Sequence, residues 1–501
     1  MFYNKLFATK QPQTLKLNLT HFKNGINTHT DENLLPLNYA KSTYNYSFIS
    51  GALREGIGFN VAKFMRFADS GGCDRTLTLS DVSGIEGIWL FRHYSRNYAK
   101  NEYVVLIYTK SQRMFYSFLF SPLPMFVELN GINFTSCPQV INYRLNEEDV
   151  LIMSSQDADN KMYTWNLTDV PDVVLNTPEI TSMCIHNERL FATTGGDRKT
   201  LYFSDDLDPT NWRIGEDQAG YIEMVDERGG LNKVISFGGH LFVLRDYGIS
   251  RLSAWGAQND FNLVHLFTSS GKIYSKTAVL CGDRILMLCA DGFYTFDGVS
   301  TTKRILGLEG MFDGVSNEYA TAEYHQGKYY LACRLNFGDD KIVGDEAVVG
   351  HKNNAVIEYD VKTGEYSISR GIDICRLCSV QEGSFSKLLA CFNTGQVATL
   401  AELDYSGTVF LQPSLKVWQS PETAMGYPDK IKVLKTLTAV VKQPCKFVVH
   451  TESATREFEL QASTKPVRVK INMPAKLFSF EFVSEEPLAH ITNPQLVVSV
   501  V

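Results

Sequence analysis

The sequence predicts an all-β chain: a β-propeller of about seven blades, with six to eight as the range, set between an extended N-terminal arm and a C-terminal β-sandwich. Three observations lead there. The 501 residues include 24 Tyr and 31 Phe, whose broad, stiff side chains suit a pleated surface better than a helical turn. A hairpin unit, apolar run then turn then aromatic-rich run, recurs at intervals of roughly 40 to 60 residues, the length of a four-stranded blade. Beyond Trp418 the chain changes to short strands that alternate with period two, the pattern of a sandwich.

Taken in order, residues 1–61 read as an arm. LKLNLTHF (Leu15 to Phe22) predicts a strand, NGIN (Asn24 to Asn27) a turn, and Asn38 to Ser47 is compatible with a short helix. SGALREGIGF (Ser50 to Phe59) then leads into the propeller, assigned to residues 62–410, whose repeats run from about Arg66 to Leu403. The clearest repeat is GDRILMLCADGFYTFDG (Gly282 to Gly298): Ile285 to Ala290 forms one strand, Asp291-Gly292 the turn, and Phe293 to Phe296 the return. Six relatives accompany it, at Tyr103 to Phe118, Asp149 to Asn166, Glu188 to Asp205, Gly239 to Ala254, Gly327 to Ser367 and Ser386 to Glu402. The sixth blade carries a polar insertion, Phe337 to Lys352, expected to protrude. Residues 411–501 form the sandwich, with strands in Lys430 to Lys442, Cys445 to Thr451, Arg456 to Ala462, Val467 to Met473, Lys476 to Ser484 and Pro494 to Val501.

Composition narrows function. A net charge of −7 argues against a protein that grips nucleic acid through a large basic face. The cysteines sit mostly inside apolar runs, as free buried thiols do in a reducing compartment. The single Cys375-x-x-Cys378 has no second pair to complete a metal site. The opening MFYNKLFATKQPQ lacks a continuous apolar segment, and no apolar run reaches the roughly 20 residues that span a bilayer, so neither a secretion signal nor a spanning segment is expected. The four Asn-x-Ser/Thr sequons, at Asn18, Asn45, Asn133 and Asn166, are accordingly read as chance.

No catalytic signature stands out: there is no Gly-x-Ser-x-Gly, His-Glu-x-x-His or phosphate-binding glycine loop. His93, His186, His240 and His265 lie on or beside strands and read as structural. SDDLDPTNW (Ser204 to Trp212) and QDADN (Gln156 to Asn160) are rich in oxygen ligands but lack calcium-loop spacing, so turn chemistry is the expectation. Asp205, Asp206, Asp246, Asp291 and Asp297 are the carboxylates that a glycosidase reading would need to converge. Trp89, Trp165, Trp212, Trp255 and Trp418 serve either as interblade core or as sugar-stacking platforms. The expectation is no enzyme, no cofactor and no metal.

Three phrases carry a family resemblance. FKNGIN (Phe22 to Asn27), followed by YNYSFISGALREGIGF (Tyr44 to Phe59), resembles the opening of bacteriophage virion propeller proteins, the tail nozzle and packaged-DNA stabilisation or head-completion proteins of short-tailed phages; the positions concerned are Phe22, Gly25, Asn27, Gly51, Leu53, Arg54 and Gly58. HNERLFATTGGDRKTLYFSDDLDPTNW (His186 to Trp212) is similar to the family's recognisable blade, through Arg189, Leu190, Ser204, Asp208, Pro209 and Trp212. RDYGISRL (Arg245 to Leu252) resembles the blade after it, while the terminal sandwich departs from the simplest nozzle pattern. The resemblance implies a structural virion protein of the neck or tail that assembles as a homo-oligomer, commonly a six-fold ring, below the portal and adaptor. Such a ring forms or seals the DNA exit channel, letting double-stranded DNA pass without specific binding. It implies residence in the virion, and in host cytoplasm during assembly. The alternative is a carbohydrate- or receptor-binding propeller on a tail tip or cell surface.

Overall fold

Each repeat is apolar on both sheet faces, so a lone hairpin leaves one face wet whichever way it packs. The computed structural model shows how the chain resolves this; it describes residues 13–19, 22–48, 51–61, 67–68, 74–75, 84–95, 99–121, 125–157, 159–167, 170–215, 218–339, 341–347, 350–382, 385–394 and 397–501. Most of the opening MFYNKLFATKQPQ and the expected start of the propeller at Arg66 lie outside those residues. The chain divides into two compact units. One joins residues 1–58, 365–370 and 404–501; the other holds 59–364 and 371–403.

The second unit is a β-propeller. Among the described residues, seven inner strands succeed one another around a ring: Ile85–Ser95, Gln139–Leu145, Ile180–His186, Leu231–Phe237, Ile273–Leu280, Thr321–His325 and Ile374–Glu382. Each neighbours the next, and the last neighbours the first, so the ring is closed. Every inner strand opens its blade and the following strands meander outward by antiparallel hairpins, except that in the seventh blade the strand beside Val397–Asp404 is Gly58–Val61, from before the first blade. The seven repeats read from the sequence are the second and third strands of these blades. In the fifth blade, Ile285–Cys289 pairs with Gly292–Phe296, and Gly292 turns the chain at φ 137°. The sixth contributes Thr321–His325, Lys328–Cys333 and Ala355–Asp360 to this unit, and its insertion contains a single turn of 3-10 helix, Gly344–Ala347.

Closure follows from burial between blades. Phe91, Val104 and Leu106 of the first blade meet Leu151, Met153 and Trp165 of the second. Ile88, Val105 and Ile107, on the first blade's other face, meet Val380, Leu389 and Leu400 of the seventh. A buried side chain of this size contributes about 1.5–3 kcal/mol, and an open ring would leave two such faces wet. Phe59, which precedes the first blade, stands edge-on to Phe392 of the last at 5.4 Å.

The first unit is a sandwich of two antiparallel sheets. One has the order Gln13–Asn18, Ile491–Val500, Lys432–Val441, Ser463–Ala475; the other runs Ser42–Tyr44, Lys416–Gln419, Phe478–Ser484, Cys445–Thr451, Thr455–Leu460. The segment expected as an arm therefore supplies one strand to each sheet: Leu15 and Leu17 alternate with polar neighbours and pair with Val498 and Leu496. The helix considered for Asn38 to Ser47 is instead two strands, Ser42–Tyr44 and Tyr46–Ser47. Asn45 breaks them at φ 62°, and its side chain donates to Leu415 O at 2.7 Å and accepts from Arg370 N at 2.8 Å, outcompeting a helical ladder.

Candidate functional site

The six residues of the blade phrase come together at one corner of the third blade. Arg189, 4% exposed, donates to Gln218 O at 2.7 Å and to Gly256 O at 3.3 Å. Leu190 N donates to Ser204 Oγ at 3.0 Å, and Ser204 N returns a bond to Leu190 O at 2.9 Å. Asp208 Oδ1 accepts from Thr210 N and Oγ1 at 2.9 and 2.6 Å, which is the turn chemistry of Asp-Pro. Trp212 Nε1 donates to Pro209 O at 3.0 Å while its indole packs with Tyr143, Val150 and Leu190 between the second and third blades. Every polar group here holds the corner together.

The residues of the N-terminal phrase are likewise engaged within their own unit. Phe22 stands edge-on to Trp418 at 4.8 Å. Gly25 has φ 64°, and a Cβ there would strike the Tyr366 hydroxyl, which accepts from Ile26 N at 2.9 Å. Asn27 Oδ1 accepts from His29 N and Thr30 N. Gly51 turns at φ 78° in open space, and Leu53 exchanges backbone bonds with Ile491. Arg54 pairs with Ser47, and a Cβ on Gly58 would meet Asp404, Ser406 and Thr408.

The carboxylates considered for catalysis are each engaged by local hydrogen bonds, Asp246 also by Arg198 of the preceding blade. Asp205 accepts from Asp206 N and Asn211 Nδ2, Asp246 from Gly230 N, Asn232 and Arg198, Asp291 from Tyr294 OH, and Asp297 from Val299 N and Ser300 N. Histidines pair with serines: His186 with Ser236 at 2.9 Å, His240 with Ser253 at 3.1 Å, and His265 with Ser250 at 2.8 Å. Cys375 donates to Ile85 O at 3.1 Å. Among the described residues no group of three His, Cys, Asp or Glu is placed to hold a metal ion. Trp165, Trp212 and Trp418 are buried, whereas Trp255 is 61% exposed.

The feature that sequence reading missed lies at the axis of the propeller. Because each inner strand is the first of its blade, all seven start at the same end of the ring, and a cavity of about 200 Å³ opens there. Four cations from four blades line it: Lys110 of the first, Lys276 of the fifth, Lys352 of the sixth and Arg376 of the seventh, with Glu86 the one carboxylate. Lys276, Lys352 and Arg376 make no ion pair with a carboxylate among the described residues; Lys352 stacks over the Tyr319 ring at 4.2 Å, and Arg376 Nη1 donates to Cys375 O at 3.3 Å. Desolvation, the Arg376 charge and the Lys352 charge lower the Lys276 ammonium below its usual range. Elsewhere on the inner strands, burial pushes Glu323 up to about 7 and Lys233 down to about 8, and Lys233 Nζ donates to Ala278 O at 2.7 Å. The four cations are scattered in sequence between residues 110 and 376; only superposing the inner strands of the repeats would have aligned Lys276 with Arg376 near the starts of theirs.

No family model and no curated protein matches the chain. Among solved structures, the crystal structure of BBS1N in complex with ARL6DN, soaked with lead, is 9% identical, covers 64% of this chain and 93% of that one, and has a TM-score of 0.42. The same complex soaked with mercury gives 10% identity, 64% and 94% coverage, and a TM-score of 0.42. The β-propeller assignment rests on the closed order of the inner strands.

Proposed function

We propose that the chain is a structural virion protein of a bacteriophage neck or tail, without enzymatic activity, that assembles head to tail into an oligomeric ring forming or sealing the DNA exit channel. The observation that carries the reading is the difference between the sandwich's two sheets: one carries exposed cations and no carboxylate, and the other borders a groove lined mainly by carboxylates. The sheet built on Lys432–Val441 contains no Asp or Glu in any of its four strands, and it carries Lys16, Lys435, Arg468 and Lys470 exposed. On the other sheet, Glu457, ion-paired to Lys446 at 3.1 Å, and Glu459 are exposed together with Arg456, and Glu459, Glu485 and Glu486 line a groove of about 300 Å³ in which Lys446 is the one cation. Two different complementary faces on one subunit favour a heterologous contact, and heterologous contacts that close make rings.

The resemblance of the Phe22–Gly58 and His186–Trp212 phrases supplies the station: virion neck or tail, portal and adaptor as neighbours, six-fold symmetry, and host cytoplasm during assembly. A net charge of −7 suits a wall past which a polyanion slides. Sedimentation and electron microscopy of the purified chain test the assembly. Rings that dissolve as salt rises, that are lost in Arg468→Glu/Lys470→Glu, and that return when this variant is mixed with Glu457→Lys/Glu459→Lys are expected. A chain that stays monomeric at every salt and concentration overturns the ring. A second reading, glycan binding on a tail tip or cell surface, is favoured by the exposed Trp255 indole; binding to host polysaccharide that Trp255→Ala abolishes would select it.

A further inference from the structure

We propose that the axial cavity of the propeller is a binding site for a phosphate-class oxyanion, held by Lys276, Lys352 and Arg376 and selected by Asn353. The chain is acidic overall, yet three cations that make no ion pair among the described residues, Lys276, Lys352 and Arg376, line about 200 Å³ in which Glu86 is the one lining carboxylate. The Tyr319 ring and the Cys375 carbonyl position Lys352 and Arg376 without neutralising them, so cations from separate blades repel one another in a partly desolvated space, a cost that a bound multivalent anion reverses. The volume suits one small oxyanion with its nearest waters, and guanidinium and ammonium donors form their strongest hydrogen bonds with such oxygens.

Asn353 provides a separate indication. It lines the cavity and is 1% exposed. Its Nδ2 donates to Tyr319 O at 3.1 Å and to Ile374 O at 2.8 Å, which fixes the amide orientation, while its buried Oδ1 has no partner. A buried acceptor left unmade costs about 1–3 kcal/mol. Monohydrogen phosphate carries both the negative oxygens the cations require and an O–H to give to that acceptor; sulfate at neutral pH has no proton to offer.

Calorimetric titration of the full chain with orthophosphate, at constant ionic strength balanced by chloride, tests this. One saturable site per chain is expected, with affinity at least tenfold weaker in Lys276→Gln/Lys352→Gln, near parental in Lys276→Arg/Lys352→Arg, and weaker for sulfate than for phosphate. Absence of a saturable site, unchanged affinity in the Gln variant, or equal binding of sulfate overturns the assignment. Should the Gln variant fail to fold, equilibrium dialysis of the unaltered chain decides: a stoichiometry near one supports the site, and unsaturable uptake removes it. Parallel titration with ADP separates the sources, since tighter binding than orthophosphate identifies the phosphate end of a larger molecule and weaker binding identifies the free anion.

Discussion

Arg245 Nη1 lies 2.7 Å from Asp226 Oδ2 inside the fourth blade, and the guanidinium is fully buried. Its other donors reach Gly229 O and Met224 O at 2.7 to 3.0 Å, so the cation is satisfied by the loop that Asp226 anchors. Removing one partner of such a pair leaves a buried charge and costs about 3–5 kcal/mol. Asp226→Asn is therefore expected to lower the urea midpoint strongly, and Arg245→Met less so, because methionine removes the charge as well as the bonds. Burial opposes ionisation of Asp226, but the Arg228 N–H and the Arg245 guanidinium outweigh it and hold the carboxyl below its usual range. The stabilisation is thus present above the ordinary carboxylate pKa and is lost as pH falls through the depressed value; acid titration of the parent against Asp226→Asn should converge there.

Trp212 makes the second test. Its indole fills the space between two blades and its N–H closes the Asp208-Pro209 turn. Trp212→Ala should cost about 3–5 kcal/mol in chemical denaturation, the range for large-to-small changes in a packed core. Trp212→Phe keeps most of the packing and loses one hydrogen bond, so a loss nearer 1 kcal/mol is expected. Equal losses in the two variants would show that the turn, not the packing, sets the corner.

Much of the propeller was legible because its signals are local. Ile285–Cys289 and Gly292–Phe296 are adjacent in sequence and joined by a glycine turn, so periodicity and turn chemistry name the hairpin directly. The sandwich strands of residues 430–501 were readable for the same reason. The pairing of Gln13–Asn18 with Ile491–Val500 was not, since nothing in a six-residue amphipathic strand states which edge, nearly 480 residues away, it will cover. The axial cavity was invisible for the same physical reason: Lys110, Lys276, Lys352 and Arg376 become neighbours only when the ring closes. The phrases that looked most like sites, around Arg189 and Asp208, are local and hold a corner of the fold.

Gly25 tests the N-terminal phrase. Its φ of 64° strains any L-residue, and the Tyr366 hydroxyl occupies the place a Cβ would take while bonding Ile26 N and O. Gly25→Ala should therefore destabilise the first unit by about 1–2 kcal/mol from conformation alone, and by more if Tyr366 is displaced. Tyr366→Phe, which removes the hydroxyl, should recover part of the loss in the double variant. Simple additivity of the two changes would mean that the hydroxyl and the glycine do not meet.

Glu323 gives a pH dependence of opposite sign to Asp226. Burial raises its carboxyl from 4.5 to about 7, against smaller lowering by the Tyr324 N–H and Lys233. Between those two values the folded chain holds a proton that the unfolded chain has released, so the folded state loses stability as pH rises through the window. Glu323→Gln keeps the shape without the ionisation. Its stability relative to the parent should stay constant below about pH 4.5, rise in the variant's favour up to about pH 7, and level off above. His186, which burial lowers to about 4 with help from His240, works the other way, gaining stability as pH rises from about 4 to 6.5. The parent's own profile is therefore flattened by the two groups, and the comparison must be made as a difference between variant and parent. A difference that does not change between pH 4.5 and 7 would place Glu323 in contact with water and in its ordinary state.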